Sequence, residues 1–152
     1  KAPFAPSTAE IGDVLVITHP HRDHTSFPLM KRMRALGKPL VLPCAMTNRM
    51  DRSEFYEPGE GVVVLDTDHL EPVEVAGVKF RNFMGFQGNV PCNTYQIEID
   101  GIRIADNGDN SPKEREWGLA KCPPTDIIIS STWSWVTNIV TACAAAPGLS
   151  RG

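Results

Sequence analysis

Three of the chain's four histidines fall in one short run, His19-Pro20-His21-Arg22-Asp23-His24. Two imidazoles two positions apart in an extended loop point to the same side, so His19 and His21 can grip one metal ion. Asp23 and His24 follow at once. They can grip a second ion or complete the shell of the first. Nitrogen and carboxylate donors together suit zinc, iron or manganese. The competing reading is a polar loop whose histidines cap the next helix. That reading gives no reason for metal-ligand types to gather in one place.

The elements that must position this run can be read around it. Asp13–Thr18 is a short apolar run and reads as a strand buried on both faces. The histidines follow at its carboxyl end, where α/β folds place ligands. Ser26–Leu36 reads as a helix, with Ser26 as cap, Pro28 in its first turn, Leu29, Met30, Met33 and Leu36 on one face, and Gly37 as stop. Leu40–Pro43 and Gly61–Leu65 read as strands, and Thr47–Phe55 as a short helix. From Glu74 to Ala105 the pattern turns to β, with tight turns at Ala76-Gly77 and Asp100-Gly101. Ser111–Ala120 carries a near-complete capping box and reads as a helix. Thr125–Ile129 reads as another buried strand, and Thr137–Ala146 as a small apolar helix ended by Pro147-Gly148.

With its strand, Asp13–His24 resembles the H-x-H-x-D-H signature of the metallo-β-lactamase superfamily. Ile104-Ala105-Asp106-Asn107-Gly108-Asp109 resembles that family's strand ending in Gly-Asp. The resemblance covers about Asp13 to Ser130 and implies an α/β (α+β sandwich) fold. In this αββα arrangement two sheets pack face to face, with helices outside and metals at one edge. It implies that His19 and His21 bind a first metal, Asp23 and His24 a second, and that Asp109 bridges them. The cofactor would be one or two divalent ions, zinc foremost, with iron or manganese as alternatives. The ions would acidify a shared water to attack an ester, lactone, amide or phosphodiester of a small-molecule substrate. Asp23 would also orient that water or relay its proton, as the catalytic residue. Asp106 competes with Asp109 for the bridging role or supports it from behind, and a turn-forming role is the alternative for Asp109.

Two departures from the family pattern bear on the site. A third histidine is expected on the loop ahead of the Gly-Asp strand. Here that stretch is Phe83–Asn89, and Gln87 takes the place. The fourth histidine, His69, reads as a surface histidine at a strand exit. The family also has earlier strands and a last histidine further on. The whole chain is therefore expected to be a single, partial metallo-β-lactamase-like domain, completed by a longer parent chain or a partner chain. Trp133 and Trp135 follow the Ile127–Ile129 strand and are candidates to wall a substrate pocket or to pack in the core. The second reading of function is a non-catalytic module that kept the fold without a complete metal centre.

Composition narrows the classes further. The net charge is −3 with no long single-sign run. Neither a membrane surface nor nucleic acid is the expected partner, and the basic residues Lys31, Arg32, Arg34 and Lys38 read as a solvated helix face. No apolar run is long enough to span a bilayer. Cys44, Cys92, Cys122 and Cys143 are scattered with no C-x-x-C pair, which argues for reduced thiols and a cytoplasmic location rather than a disulfide framework.

Overall fold

The structure is a computed structural model, and it describes residues 6–43, 46, 61–111 and 116–130. The helices expected over Thr47–Phe55 and Thr137–Ala146, with Trp133, Trp135, Cys44 and Cys143, lie outside the described residues. The chain divides into two compact units, Lys1–Asp66 and Thr67–Gly152.

In the first unit a single 3-10 turn, Pro6–Glu10, precedes strand β1 (Leu15–Val16). Helix α1 (Phe27–Ala35), β2 (Leu40–Pro43) and β3 (Val62–Leu65) follow. The strands form a parallel sheet in the order β1-β2-β3, with Leu15 beside Leu40 and Leu40 beside Val62. The middle strand is buried along its whole length, as an apolar strand between two parallel neighbours must be. Leu29, Met30 and Met33 of α1 join Leu40, Leu42, Ile17, Met46, Ala9 and Val62 in one core. Each such side chain contributes about 1.5–3 kcal/mol when fully withdrawn from water.

The helix ends as its sequence dictates. Gly37 takes a left-handed φ of 69°. The Lys38 N–H then reaches the Met33 carbonyl at 2.9 Å and the Gly37 N–H the Arg34 carbonyl at 2.9 Å, which is the Schellman closure. Lys38 continues past this cap. Its Nζ donates to the carbonyls of Ala9, Glu10 and Gly12 at 2.8, 3.2 and 2.7 Å, tying the 3-10 turn to the end of α1.

The second unit is a five-stranded sheet in the order β4-β5-β6-β7-β8. Its strands are β4 (His69–Val75), β5 (Val78–Gln87), β6 (Val90–Ile99), β7 (Ile102–Asp106) and β8 (Ile127–Ile129). Neighbours run antiparallel up to β7, and β8 lies parallel to β7. Two hairpins close on residue pairs with positive φ, Ala76-Gly77 at 52° and 77° and Asp100-Gly101 at 51° and 80°. That pairing matches the right-handed twist of the flanking strands. Phe80, Phe83, Tyr95 and Ala105 are buried at the sheet's interior positions. A short helix α2 (Gly118–Lys121) follows β7.

Several sequence expectations are corrected. β1 is only two residues long and half-buried, not a strand buried on both faces, because among the described residues it pairs with β2 alone. Phe83–Gln87 belongs to β5 rather than to a loop; only Gly88 and Asn89 turn. His69 opens β4 instead of leaving a strand. β8 is not buried: Ile127 and Ile129 are 48% and 55% exposed. Among the described residues it pairs with β7 alone. Of the helix expected over Ser111–Ala120, residues 112–115 lie outside the described residues, and Trp117 is extended, so α2 starts only at Gly118. A Cβ at Gly118 would lie 2.5 Å from the Phe83 carbonyl oxygen and 2.5 Å from Thr94 Oγ1, so only a glycine fits where this backbone meets β5 and β6.

Candidate metal centre

The histidine run leaves the sheet after Ile17, and its backbone closes a turn through the His24 N–H and the His21 carbonyl at 3.0 Å. This turn folds the run back on itself. The ring centroid of His19 lies 4.7 Å from that of His21, with planes crossed at 83°, and 4.3 Å from that of His24, tilted at 42°. His19 is fully buried. Thr18 Oγ1 lies 3.0 Å from its Nδ1, and the Thr25 hydroxyl donates to its carbonyl at 3.4 Å. Two threonines therefore fix the ring and backbone of the most enclosed imidazole, as partners behind a metal-binding histidine do. The His19 ring thus lies against the rings of both His21 and His24, and imidazole nitrogens are the donor type a borderline-soft divalent ion takes.

Asp23 stands differently. Its side chain is 79% exposed, and its Oδ2 lies 3.6 Å from His24 Nε2. The turn thus gathers the three histidine rings and leaves the Asp23 carboxylate at its rim.

Asp109 is held by the second unit. β7 ends at Asp106, whose Oδ1 accepts the Gly108 N–H at 3.0 Å. Gly108 takes a φ of 53°, so Asp106 organises the turn and Asp109 is presented beyond it. Two buried asparagines brace the turn. Asn107 Nδ2 donates to the Asn110 carbonyl at 2.9 Å, and its Oδ1 accepts from the Thr94 hydroxyl at 3.3 Å. Asn110 Nδ2 donates to the carbonyls of Cys92 and Asn107, each at 2.9 Å, and to Thr94 Oγ1 at 3.0 Å. Gly85 makes room for this: a Cβ there would meet Asn110 Oδ1 at 1.7 Å. Gln87, at the end of β5, donates from Nε2 to Asp109 Oδ2 at 3.0 Å.

Cys92 lies in the same region, fully buried and in no disulfide. Burial pushes its thiol up to about 12; the amide of Asp109 opposes this, while the carboxylates of Asp109 and Asp106 add to it. A thiol so raised is neutral at physiological pH in the metal-free protein. Cys122 is also free and is raised by burial.

Asn107, Asn110, Thr94 and Gly85 were not singled out from sequence. The crowding of Asx residues and glycine in Asp106–Asn110 is the signal that could have pointed to two of them, since such residues hydrogen-bond their own turns.

No protein-family model and no curated protein matches the chain. Solved structures do. A mutant of the CmlA β-hydroxylase is 19% identical with a TM-score of 0.51, over 83% of this chain and 28% of that one. CmlA is described as a diiron β-hydroxylase from Streptomyces venezuelae. The metallo-β-lactamase fold protein YhfI from Bacillus subtilis is 13% identical with a TM-score of 0.45, over 68% of this chain and 44% of that one. A diphosphatase of the PhnP family is 21% identical with a TM-score of 0.48, over 76% of this chain and 45% of that one. The chain thus spans less than half the length of these three proteins. The likeness is one of fold alone: the chain shares an α/β arrangement of two sheets with the CmlA structure. Among the described residues no helix is long and apolar enough to cross a membrane.

Proposed function

We propose that this metallo-β-lactamase-like chain is the metal-binding part of a metal-dependent hydrolase. His19, His21 and His24 are its imidazole ligands, and Asp109 is the carboxylate assigned to the same centre by its Gly-Asp motif. The observation that carries the reading is that the buried His19 ring lies against the rings of both His21 and His24 within one turn and is braced by two threonines. A divalent ion, zinc foremost and iron or manganese as alternatives, supplies Lewis acidity and a nucleophile at neutral pH by acidifying water. The chain's own residues do the rest. Thr18 and Thr25 hold His19 in place. The braced turn Asp106–Asn110 presents Asp109. Asp23, exposed beside His24, is positioned to exchange a proton with solvent, which suits a relay better than a buried ligand. The substrate class is a small ester, lactone, amide or phosphodiester. Trp133 and Trp135 are candidates for the pocket wall.

The test is Asp109→Asn in the longest soluble form of the protein. Hydrolysis of a generic ester and a generic phosphodiester falls by orders of magnitude, while the melting temperature of the metal-free sample stays nearly unchanged. A large loss of metal-free stability with normal turnover contradicts the assignment and makes Asp109 a turn residue.

A further inference from the structure

We infer that Gln87 is a positioning residue for the Asp109 carboxylate and not a stand-in for a missing histidine ligand; the inference rests on the reading of Asp109 as a ligand. Gln87 closes β5 opposite Val90, beside the Gly88-Asn89 turn. Its side chain reaches Asp109 Oδ2 at 3.0 Å. Only one end of an amide can face a carboxylate at that distance. The oxygen would set lone pair against lone pair, so the NH2 end must be the one that approaches. A planar amide nitrogen has no lone pair to give a cation. The end of Gln87 that meets Asp109 is therefore a donor to the carboxylate and cannot be a metal ligand.

The role this creates is specific. Asn107, Asn110 and Thr94 fix the backbone of the turn. Gln87 acts on the carboxylate itself. Fixing Oδ2 sets the rotation of the group and hence the direction of Oδ1. It also removes a choice of rotamers that a free carboxylate would have to give up on binding a cation. The other end of the amide shows that packing alone does not account for a glutamine here. Gln87 Oε1 is buried and has no hydrogen-bond partner among the described residues. A buried acceptor left so is costly, so packing alone would favour an apolar residue here. Groups that hydrogen-bond a ligand from behind are worth roughly 10–100-fold in metal affinity.

The experiment measures zinc affinity and stoichiometry by competition with a chromophoric chelator. The proteins are wild type, Gln87→Met, Gln87→His, Asp109→Asn and the double variant, each with a metal-free melting curve. Gln87→Met keeps the wild-type stoichiometry and binds zinc roughly 10–100-fold more weakly. Gln87→His adds no zinc equivalent. In the Asp109→Asn background Gln87→Met adds little, because the two residues act as one unit. The inference is overturned if Gln87→Met loses a zinc equivalent, leaves the affinity unchanged, or costs as much without Asp109 as with it. If Gln87→Met does not fold, Gln87→Asn withdraws the amide by one methylene and carries the same expectations. Zinc binding indifferent to Asp109→Asn in the first place defeats the reading of Asp109, and this inference with it, which separates the two failures.

Discussion

Gly85→Ala is expected to damage both stability and the metal centre, although residue 85 carries no side chain. The added Cβ would sit 1.7 Å from Asn110 Oδ1, 2.6 Å from Asn110 Cγ and 2.9 Å from the backbone nitrogen of Gly118. Real contacts of this kind do not occur, so Asn110 must move. Its Nδ2 then leaves the Cys92 and Asn107 carbonyls and Thr94 Oγ1. The two N–H bonds of that amide contribute about 1 kcal/mol each. Overpacking of a filled interior adds about 1–3 kcal/mol. The total is roughly 3–5 kcal/mol, the scale at which a domain of this size melts on the order of 10 °C lower. The displaced Asn110 also loosens the turn that presents Asp109, so zinc affinity drops along with Tm. Thermal unfolding by circular dichroism and chelator competition read the two effects. Gly12→Ala is the control, since a Cβ there meets only Thr8 O, at an ordinary 3.7 Å. A Gly85→Ala protein that melts with the wild type and binds zinc as tightly would refute the account of the turn.

Three further outcomes follow from the same contacts. Lys38→Met removes the cation from three carbonyls and lowers the stability of the chain by about 1.5–3 kcal/mol, the scale for a charged hydrogen-bond donor, in urea unfolding; an unchanged midpoint contradicts the clamp. Bonds from the Arg103 side chain and backbone hold the Asp126 carboxyl below its ordinary value. A depressed folded pKa gives stability that is present above the unfolded value and lost as pH falls through the folded one; Asp126→Asn should flatten that part of the acid limb, and an identical acid limb tells against it. Cys92 should resist a thiol reagent at neutral pH until the protein unfolds, because its thiol is buried and raised to about 12; peptide mapping that finds it labelled in the native state counts against the packing described.

What was legible in the sequence was what local chemistry decides. The histidine run advertises its ligands by type and spacing, and the structure gathers His19, His21 and His24. Helix α1 announces its apolar face and its glycine stop, and both stand. The hairpins at Ala76-Gly77 and Asp100-Gly101 are set by residue pairs that tolerate positive φ. Contacts made by distant residues were not legible. Gly85, Thr94 and Asn110 come together only once β5, β6 and the turn after β7 are assembled. Among the described residues β1 and β8 each have a single strand neighbour, and an apolar run reads the same with one neighbour as with two. Gln87 stood out in the sequence only as the residue where the family has a histidine; its contact with Asp109 depends on which end of its amide meets the carboxylate, and no spacing rule supplies that.

The proposed function stands or falls on whether the turn His19–His24 holds a metal ion. Elemental analysis of purified wild type beside the His19→Ala/His21→Ala double variant tests it most directly, after both have been loaded with zinc and freed of loosely bound ions by gel filtration. The account predicts one or two equivalents of zinc in the wild type and a substoichiometric trace in the variant, with both proteins folded by far-UV circular dichroism. Equal metal in the two proteins would contradict it.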